Sequence, residues 1–429
     1  VQLEKFDVIV VGGGPAGMMA AGKAAEIGAS VALVEKNDRL GVKLAITGKG
    51  RCNLTHMEKD PLKLVEPFGR NGRFLLSSLS RFGVEDTLEF FRSRGVATKV
   101  ERGSRVFPET GLNSEDVVNA LSDFMFEGKV KIFTVTTARG LTVSGGEVTG
   151  IVTDRGTMSA SSVIVTTGGM SYPGTGSTGD GYRWAKETGH RIVGPEPAIC
   201  PVKTEERWCS ELQGLTLRNV SISLWRGGKR VSDRFGEMLF THFGISGPIV
   251  MDMAKEIGTS LSKGPSALFL DLKPALDKGK LDARILRDLE AHRRELLKNG
   301  LKDLLPRAII PVIMEAAGIP AETRVDEVTK DQRKDLIEAV KSLPITPTGL
   351  LGYRWSVITS GGISLKDVDP KTMASKKTAG LFFAGEILDL DGPTGGYNLQ
   401  VCWSTGYVAG NEAGLYAKGG SEKNPSSAS

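Results

Sequence analysis

Six residues near the start, Gly12-Gly13-Gly14-Pro15-Ala16-Gly17, constrain the fold more than any other stretch. They spell G-x-G-x-x-G (Gly12, Gly14, Gly17) between an apolar run at 6–11 and an Ala-rich segment at 15–27. The run reads as a buried strand and the segment as a helix, with Pro15 at its first position. Glycines at the turn let a pyrophosphate approach the helix N-terminus, where free amides and the positive end of the helix dipole stabilise negative charge. Residues 31–35 read as a second strand, closed by Glu35, 21 residues after Gly14. A carboxylate there accepts hydrogen bonds from ribose hydroxyls. Strand, turn, helix and terminal acid together predict a β-α-β dinucleotide site rather than an arbitrary glycine-rich turn. Lys36, next along, does not discriminate between FAD and NAD.

Two further sites favour FAD, because a nicotinamide enzyme has no need of them. The first runs from Lys43 to Asn53 and contains Thr47-Gly48-Lys49-Gly50-Arg51-Cys52-Asn53. It lacks the upstream glycine and the following Ser/Thr of a P-loop, and it reads as a loop laid against a pyrophosphate and a flavin ring. Cys52 beside these cations is a candidate thiolate, with packing as the simpler alternative. The other site runs from an apolar strand at 381–384 through Gly385, Glu386, Asp389 and Asp391 to Gly395-Gly396-Tyr397-Asn398. A strand ending at a glycine and an acid suits a polyol chain. A helix starting at Gly395-Gly396 offers amides to the negative edge of a reduced flavin.

A second G-x-G-x-x-G, at Gly174, Gly176 and Gly179, follows Tyr172-Pro173 rather than a strand. No second strand with a terminal acid comes after it, so it reads as a loop near the ligand. A separate NAD(P)H-binding β-α-β domain is therefore not expected. His190 reads as a capping residue, His56, His242 and His292 have no metal-ligand spacing, and no metal site is expected. Lys278 and Lys280 sit beside Asp277 and Asp282 in a charged segment and read as a solvated face. No side chain stands out as catalytic, since a flavin carries its own reactivity.

The expected architecture is α/β: a Rossmann-like FAD-binding domain interrupted by a β-barrel-like domain and a small helical insert. The boundaries read as 1–194 and 352–417 for the discontinuous FAD-binding domain, 195–274 and 343–351 for a β-rich substrate-side domain, 275–342 for the insert, and 418–429 for a flexible tail. Glycine makes up 54 of 429 residues, roughly 13% against a usual ~7%. The excess sits beside apolar runs, as backbone-lined ligand sites require. The net charge of +5 has its signs interspersed. The Lys- and Arg-containing insert also carries many acids and no aromatic residue for stacking, so no stable nucleic-acid partner is expected. No apolar run reaches the ~18 residues of a membrane helix. The four cysteines, at 52, 200, 209 and 402, form no C-x-x-C. With no signal-peptide pattern at the N-terminus, a reducing, cytoplasmic setting is the expectation.

Five stretches carry a family resemblance: GGGPAG at 12–17, TGKGRCN at 47–53, TGG-x-SYP-x-TGSTGDGY at 167–182, THFGISGP at 241–248, and GE-x-LD-x-DG-x-x-GGYNLQ at 385–400. In these the chain resembles the BaiN-like (aminoacetone oxidase) family of FAD-dependent oxidoreductases. The resemblance implies FAD contacts at Gly12, Gly14, Ala16, Gly17, Glu35, Lys36 and Lys43. It extends them through 47–53, to Thr167, Gly168 and Gly169, and to Gly385, Glu386, Asp391, Gly396, Tyr397 and Asn398. Ala138 is a neighbour of the adenine by its position after the strand in the 130s. Activities within the family differ, so hydride exchange with a small organic substrate is expected, with transient NAD(P)H or dioxygen as the other partner. An FAD-dependent nucleic-acid-modifying protein and a non-catalytic flavin-binding protein are the alternatives.

Overall fold

The computed structural model describes residues 2–421. The chain forms two compact units, Val1–Pro197 with Val357–Ser429, and Ala198–Ser356.

The first unit is built on a mixed seven-stranded sheet. Strand β1 (Gln2–Val11), helix α1 (Pro15–Glu26) and strand β2 (Val31–Val34) form the expected β-α-β unit, with Val8 opposite Val31 in a parallel pair. On its other side β1 pairs in parallel with Gly156–Val165, Ile9 lying opposite Val163. The first residues of Gly156–Val165 also pair antiparallel with Glu147–Thr153, and its last three pair in parallel with Leu381–Phe383. Residues 138–165 thus form an antiparallel meander. Buried on both faces, the parallel strands need the continuous Val/Ile runs seen in sequence: Val8, Ile9, Val10, Val163, Ile164 and Val165 are all fully buried. The C-terminal helix, Tyr397–Ser421, lies along α1. Small residues permit this contact, since a Cβ on Gly410 would sit 2.3 Å from the Ala20 carbonyl oxygen. That helix runs through Ser421, so residues 418–421, expected in a flexible tail, are helical. Residues 422–429 lie outside the described residues.

The second unit carries a seven-stranded antiparallel sheet around the long hairpin Thr216–Arg226 and Lys229–Thr241. Alternate residues Ile222, Leu224, Leu268 and Leu270 point to one buried face. They share a core with Leu281, Ile285, Ile313 and Leu336 from the helical stretch 275–342. Helix Pro248–Leu261 follows Gly247, with Pro248 in its first turn.

Candidate functional site

In the first unit β1, β2, Gly156–Val165 and Leu381–Phe383 are parallel neighbours, so their carboxyl ends share one edge of the sheet. Open α/β sheets hold ligands there. The glycine turn, Glu35, residues 166–169 and Gly385 all leave the sheet at this edge.

The turn is set by close packing. A Cβ on Gly17 would lie 1.9 Å from the Gly12 carbonyl oxygen, and one on Gly12 would lie 2.6 Å from that of Thr166. Gly14 differs: a Cβ there would meet nothing within 4 Å. It caps α1 without a side-chain hydrogen bond, with Pro15 in the first turn. The amides of Ala16 and Gly17 have no intrahelical acceptor at this position. Glu35 is buried; its Oε2 accepts from the Gly13 amide at 2.7 Å and its Oε1 from that of Asn37 at 2.8 Å. Each oxygen retains a second lone pair for a hydroxyl donor. Residues 133–136 clasp the Glu35 backbone, through Phe133 O at 2.9 Å and the Thr136 amide at 3.0 Å. Ala138 opens the next strand just beyond.

Lys36 extends away from the turn to Thr178 Oγ1 at 2.6 Å and Asp180 Oδ2 at 2.9 Å, while Asn37 Nδ2 donates to Thr175 O at 3.0 Å. These bonds hold the 174–179 loop at the end of β2. The loop follows no strand; its residues form a short helical turn, Pro173–Thr175, ahead of helix Asp180–Glu187. Burial opposes ionisation of Asp180, but hydrogen bonds from Lys36 and Thr178 and the Lys36 charge outweigh it and hold the carboxyl below its ordinary value.

Lys43 and Glu386 meet across most of the chain. Lys43 Nζ lies 2.7 Å from Glu386 Oε2, with both side chains less than one-fifth exposed. Lys43 also donates to Ser171 Oγ at 2.9 Å. Glu386 Oε1 accepts from Ser171 Oγ at 2.7 Å and the Thr359 amide at 2.9 Å. A Cβ on Gly169 would lie 2.3 Å from Thr359 Oγ1, so this glycine packs against the same cluster. Sequence reasoning missed Ser171 and Thr359. Ser171 lies inside the TGG-x-SYP stretch and could have been found there; a lone threonine in a strand carries no signal.

Residues 47–53 fold as a tight loop in which Gly48, Lys49, Gly50 and Cys52 all have positive φ. Thr47 Oγ1 donates to Leu44 O at 2.7 Å. Arg51 turns to Glu101 at 3.1 Å and lies over the Phe107 ring. Lys49 is exposed. The thiolate reading of Cys52 is overturned: burial pushes its thiol up to about 12 against a small opposing hydrogen bond with Thr47, so Cys52 serves packing and backbone geometry. Asn53 Oδ1 and Thr167 Oγ1 are buried with no hydrogen-bond partner. Gly168 precedes Gly169 with φ +69.

At the far end of the chain, the Gly385 amide donates to Thr405 Oγ1 at 2.9 Å, and Asp391 Oδ1 accepts from Ser360 Oγ at 3.0 Å. Asn398 braces its own loop: its Oδ1 accepts from the Gly392 amide at 2.9 Å, and its Nδ2 donates to Gly392 O at 2.9 Å. Gly396 is demanded by close approach, because a Cβ would lie 2.3 Å from the Thr55 carbonyl. His56 stacks on Tyr397 at 4.4 Å between centroids and 20° between planes, and its Nδ1 lies 3.3 Å from Gly395 O. His190 is a buried cap, with Nδ1 3.0 Å from Ala185 O. Lys278 pairs with Glu338 and Lys280 with Asp277, in exposed positions.

A glycine turn at a parallel strand end, a buried acid closing the next strand and a distant helix start beneath it define the FAD-binding class of Rossmann oxidoreductases. The model of the HI0933-like protein Rossmann domain matches residues 6–412. The chain belongs to that family, the BaiN-like FAD-dependent oxidoreductases. It is 30% identical to a 3-dehydro-bile acid delta(4,6)-reductase of Clostridium scindens, over 94% of this chain and 98% of the relative. It is 28% identical to a ribosomal RNA dihydrouridine synthase of Haemophilus influenzae, over 93% of this chain and 96% of that one. Among solved structures, a 3-ketosteroid delta1-dehydrogenase from Sterolibacterium denitrificans shares the fold at a TM-score of 0.54 and 16% identity, covering 96% of this chain and 99% of that one. Among the described residues no helix is long and apolar enough to cross a membrane.

Proposed function

We propose that the protein is a flavin-dependent reductase that adds two hydrogens across a carbon–carbon double bond conjugated to a carbonyl, in a small organic substrate. One observation carries the cofactor assignment: the carboxyl edge of the parallel sheet keeps open space at Gly14, and Asn53 Oδ1, in the 47–53 loop, is buried without a partner. Buried polar atoms need a partner, and a dinucleotide supplies hydroxyls and phosphates to meet them. FAD, when bound, supplies a two-electron hydride carrier.

In this reading Gly12, Gly14, Pro15, Ala16 and Gly17 hold the pyrophosphate, Glu35 and Lys36 the ribose end, and Ala138 the adenine. Lys43, residues 47–53, Thr167, Gly168, Gly169, Gly385, Glu386 and Asp391 line the polyol and ring. Gly395, Gly396, Tyr397 and Asn398 set the helix start at the ring's pyrimidine edge. The Lys43–Glu386 pair ties the early loop to the last strand and holds the two halves of the cradle together.

The reaction class is supported by the two relatives. The names of both describe hydrogenation of a double bond conjugated to a carbonyl, one in a steroid-type skeleton and one in a pyrimidine. The substrate carbon beta to the carbonyl takes the hydride and its neighbour takes a proton. NAD(P)H restores the two electrons and leaves as NAD(P)+. Holoprotein mixed anaerobically with NADPH or NADH should lose its yellow colour and regain it on addition of an enone. Bleaching by an amine with peroxide release in air, and none by NAD(P)H, would replace this reading with an oxidase. Protein that retains no FAD would remove both. Glu35→Ala should lower FAD retention at least tenfold.

A second reading places the double bond in a pyrimidine of RNA. It is favoured by the ribosomal RNA dihydrouridine synthases to which the chain is 28% identical.

A further inference from the structure

In the second unit, Ser221 lies opposite Phe235 and Asp271, Ser223 opposite Asp233 and Phe269, and Trp225 opposite Arg230 and Ala267. Opposed residues share a sheet face. The alternate positions Ile222, Leu224, Leu268 and Leu270 fill the core, so Trp225, Phe269 and Phe235 stand on the face away from it. A cavity of about 620 Å³ covers this face, lined by Trp225, Phe269, Arg226, Arg230, Ser223 and Lys341, among others. Phe235 is 62% exposed. The Trp225 and Phe269 rings meet edge to face at 5.9 Å, and Trp225 Nε1 is held by Ser223 Oγ at 2.9 Å. The indole is therefore positioned before anything binds.

Around these rings the charge is basic. The hairpin tip reads Arg226-Gly227-Gly228-Lys229-Arg230, and Lys263 is exposed in the loop that leads to Pro265 at the cavity rim. Two acids lie in the lining, and each faces a cation: Asp271 pairs with Lys341 at 2.6 Å and Asp233 with Arg230 at 3.7 Å. Lys341 is also committed to the carbonyls of Lys273 and Leu276, so it shapes the wall. The absence of aromatic residues from the helical insert argued against nucleic acid; the sheet supplies them, next to cations.

We propose that this face binds a single-stranded nucleic-acid segment, with bases stacked on Trp225 and Phe269 and phosphates on Arg226, Lys229, Arg230 and Lys263. Aromatic platforms on a sheet beside flexible cations are the physical requirement for such binding. A free nucleotide would use the same chemistry. A strand is favoured because Phe235 lies two pleat rows from Trp225, about 13 Å along the sheet, beyond the reach of one base. None of these residues belongs to the flavin cradle, so loss of this binding with flavin retained is separable from failure of the flavin reading.

The test is fluorescence anisotropy of full-length holoprotein with labelled 12-nucleotide oligo(U) and oligo(A) RNA. Binding should weaken with salt, with a log–log slope of about −0.7 per phosphate contact. Trp225→Ala should weaken it roughly tenfold and Trp225→Phe should restore most of the loss, at unchanged FAD content. Arg226→Glu with Arg230→Glu, at the hairpin tip, should abolish binding at moderate salt; this pair decides the matter if Trp225→Ala proves unstable. Absence of binding by the wild-type protein at low salt would overturn the proposal, as would equal affinity for duplex RNA. Full competition by UMP or NADPH at matched nucleotide concentration would reassign the face to a free nucleotide.

Discussion

The chain contains the same six-residue pattern twice, at 12–17 and 174–179, and the two copies behave differently. In the first, backbone packs against backbone: added Cβ atoms at Gly12 and Gly17 would meet carbonyl oxygens at 2.6 and 1.9 Å. In the second, Gly174 faces nothing within 4 Å, and the nearest atoms at Gly176 and Gly179 belong to the side chains of Asn37 and Met170. The first is a strand–helix junction under steric constraint; the second is a surface loop held by Lys36 and Asn37. Spacing alone does not make a nucleotide turn; a strand before it and a helix packed on it do.

The comparison breaks if Gly17→Ala is tolerated. It should cost about 3 kcal/mol, at the upper end of overpacking, read as a lowered thermal midpoint with loss of holoprotein. Next comes the buried tie between segments. Lys43→Met leaves Glu386 without its cation and should cost about 2 kcal/mol, after discounting for the partial exposure of the pair. Arg51→Met, from a pair that is half exposed on the arginine side, should cost no more than about 0.5 kcal/mol. Equal losses in denaturant titrations would show that burial is not what separates them.

Gly14→Ala sharpens the comparison. Its backbone, at φ −81 with open space ahead, accepts alanine, so apoprotein stability should change by less than about 0.5 kcal/mol. FAD retention should fall at least tenfold, while Gly174→Ala changes neither. If both variants keep their flavin, the open space at Gly14 is not a phosphate site. The smallest effect concerns pH. Asp180 has a folded-state acidity stronger than its unfolded one, so the Lys36 clamp is fully present above the ordinary carboxylate range. It should be lost as pH falls through the lowered value. Protease cleavage within 174–179 should rise at acid pH in the wild type, and Asp180→Asn should show that sensitivity already at neutral pH.

The β-α-β unit was legible because each part carries a local cause: an apolar run buried on both faces, Pro15 at the first helical position, glycines where a Cβ would collide. The C-terminal glycine pair was legible for the same reason. Cys52 misled because its neighbours in sequence, Lys49 and Arg51, are cations; in space the thiol is fully buried, and burial decides its protonation. His56 looked solitary because its partner, Tyr397, lies more than three hundred residues away. The aromatic sheet face was missed because Trp225 and Phe269 occur on separate strands, and only their register sets them side by side.

The sequence by itself determined the local elements and the family, since short-range sterics and burial patterns are written into adjacent residues. Only the tertiary structure decided what those elements meet: Lys43 with Glu386, Asn53 Oδ1 buried without a partner, three aromatic rings on another sheet's outer face. The physical reason is distance along the chain. Contacts between remote segments depend on how whole elements pack, and no single stretch of residues encodes that packing.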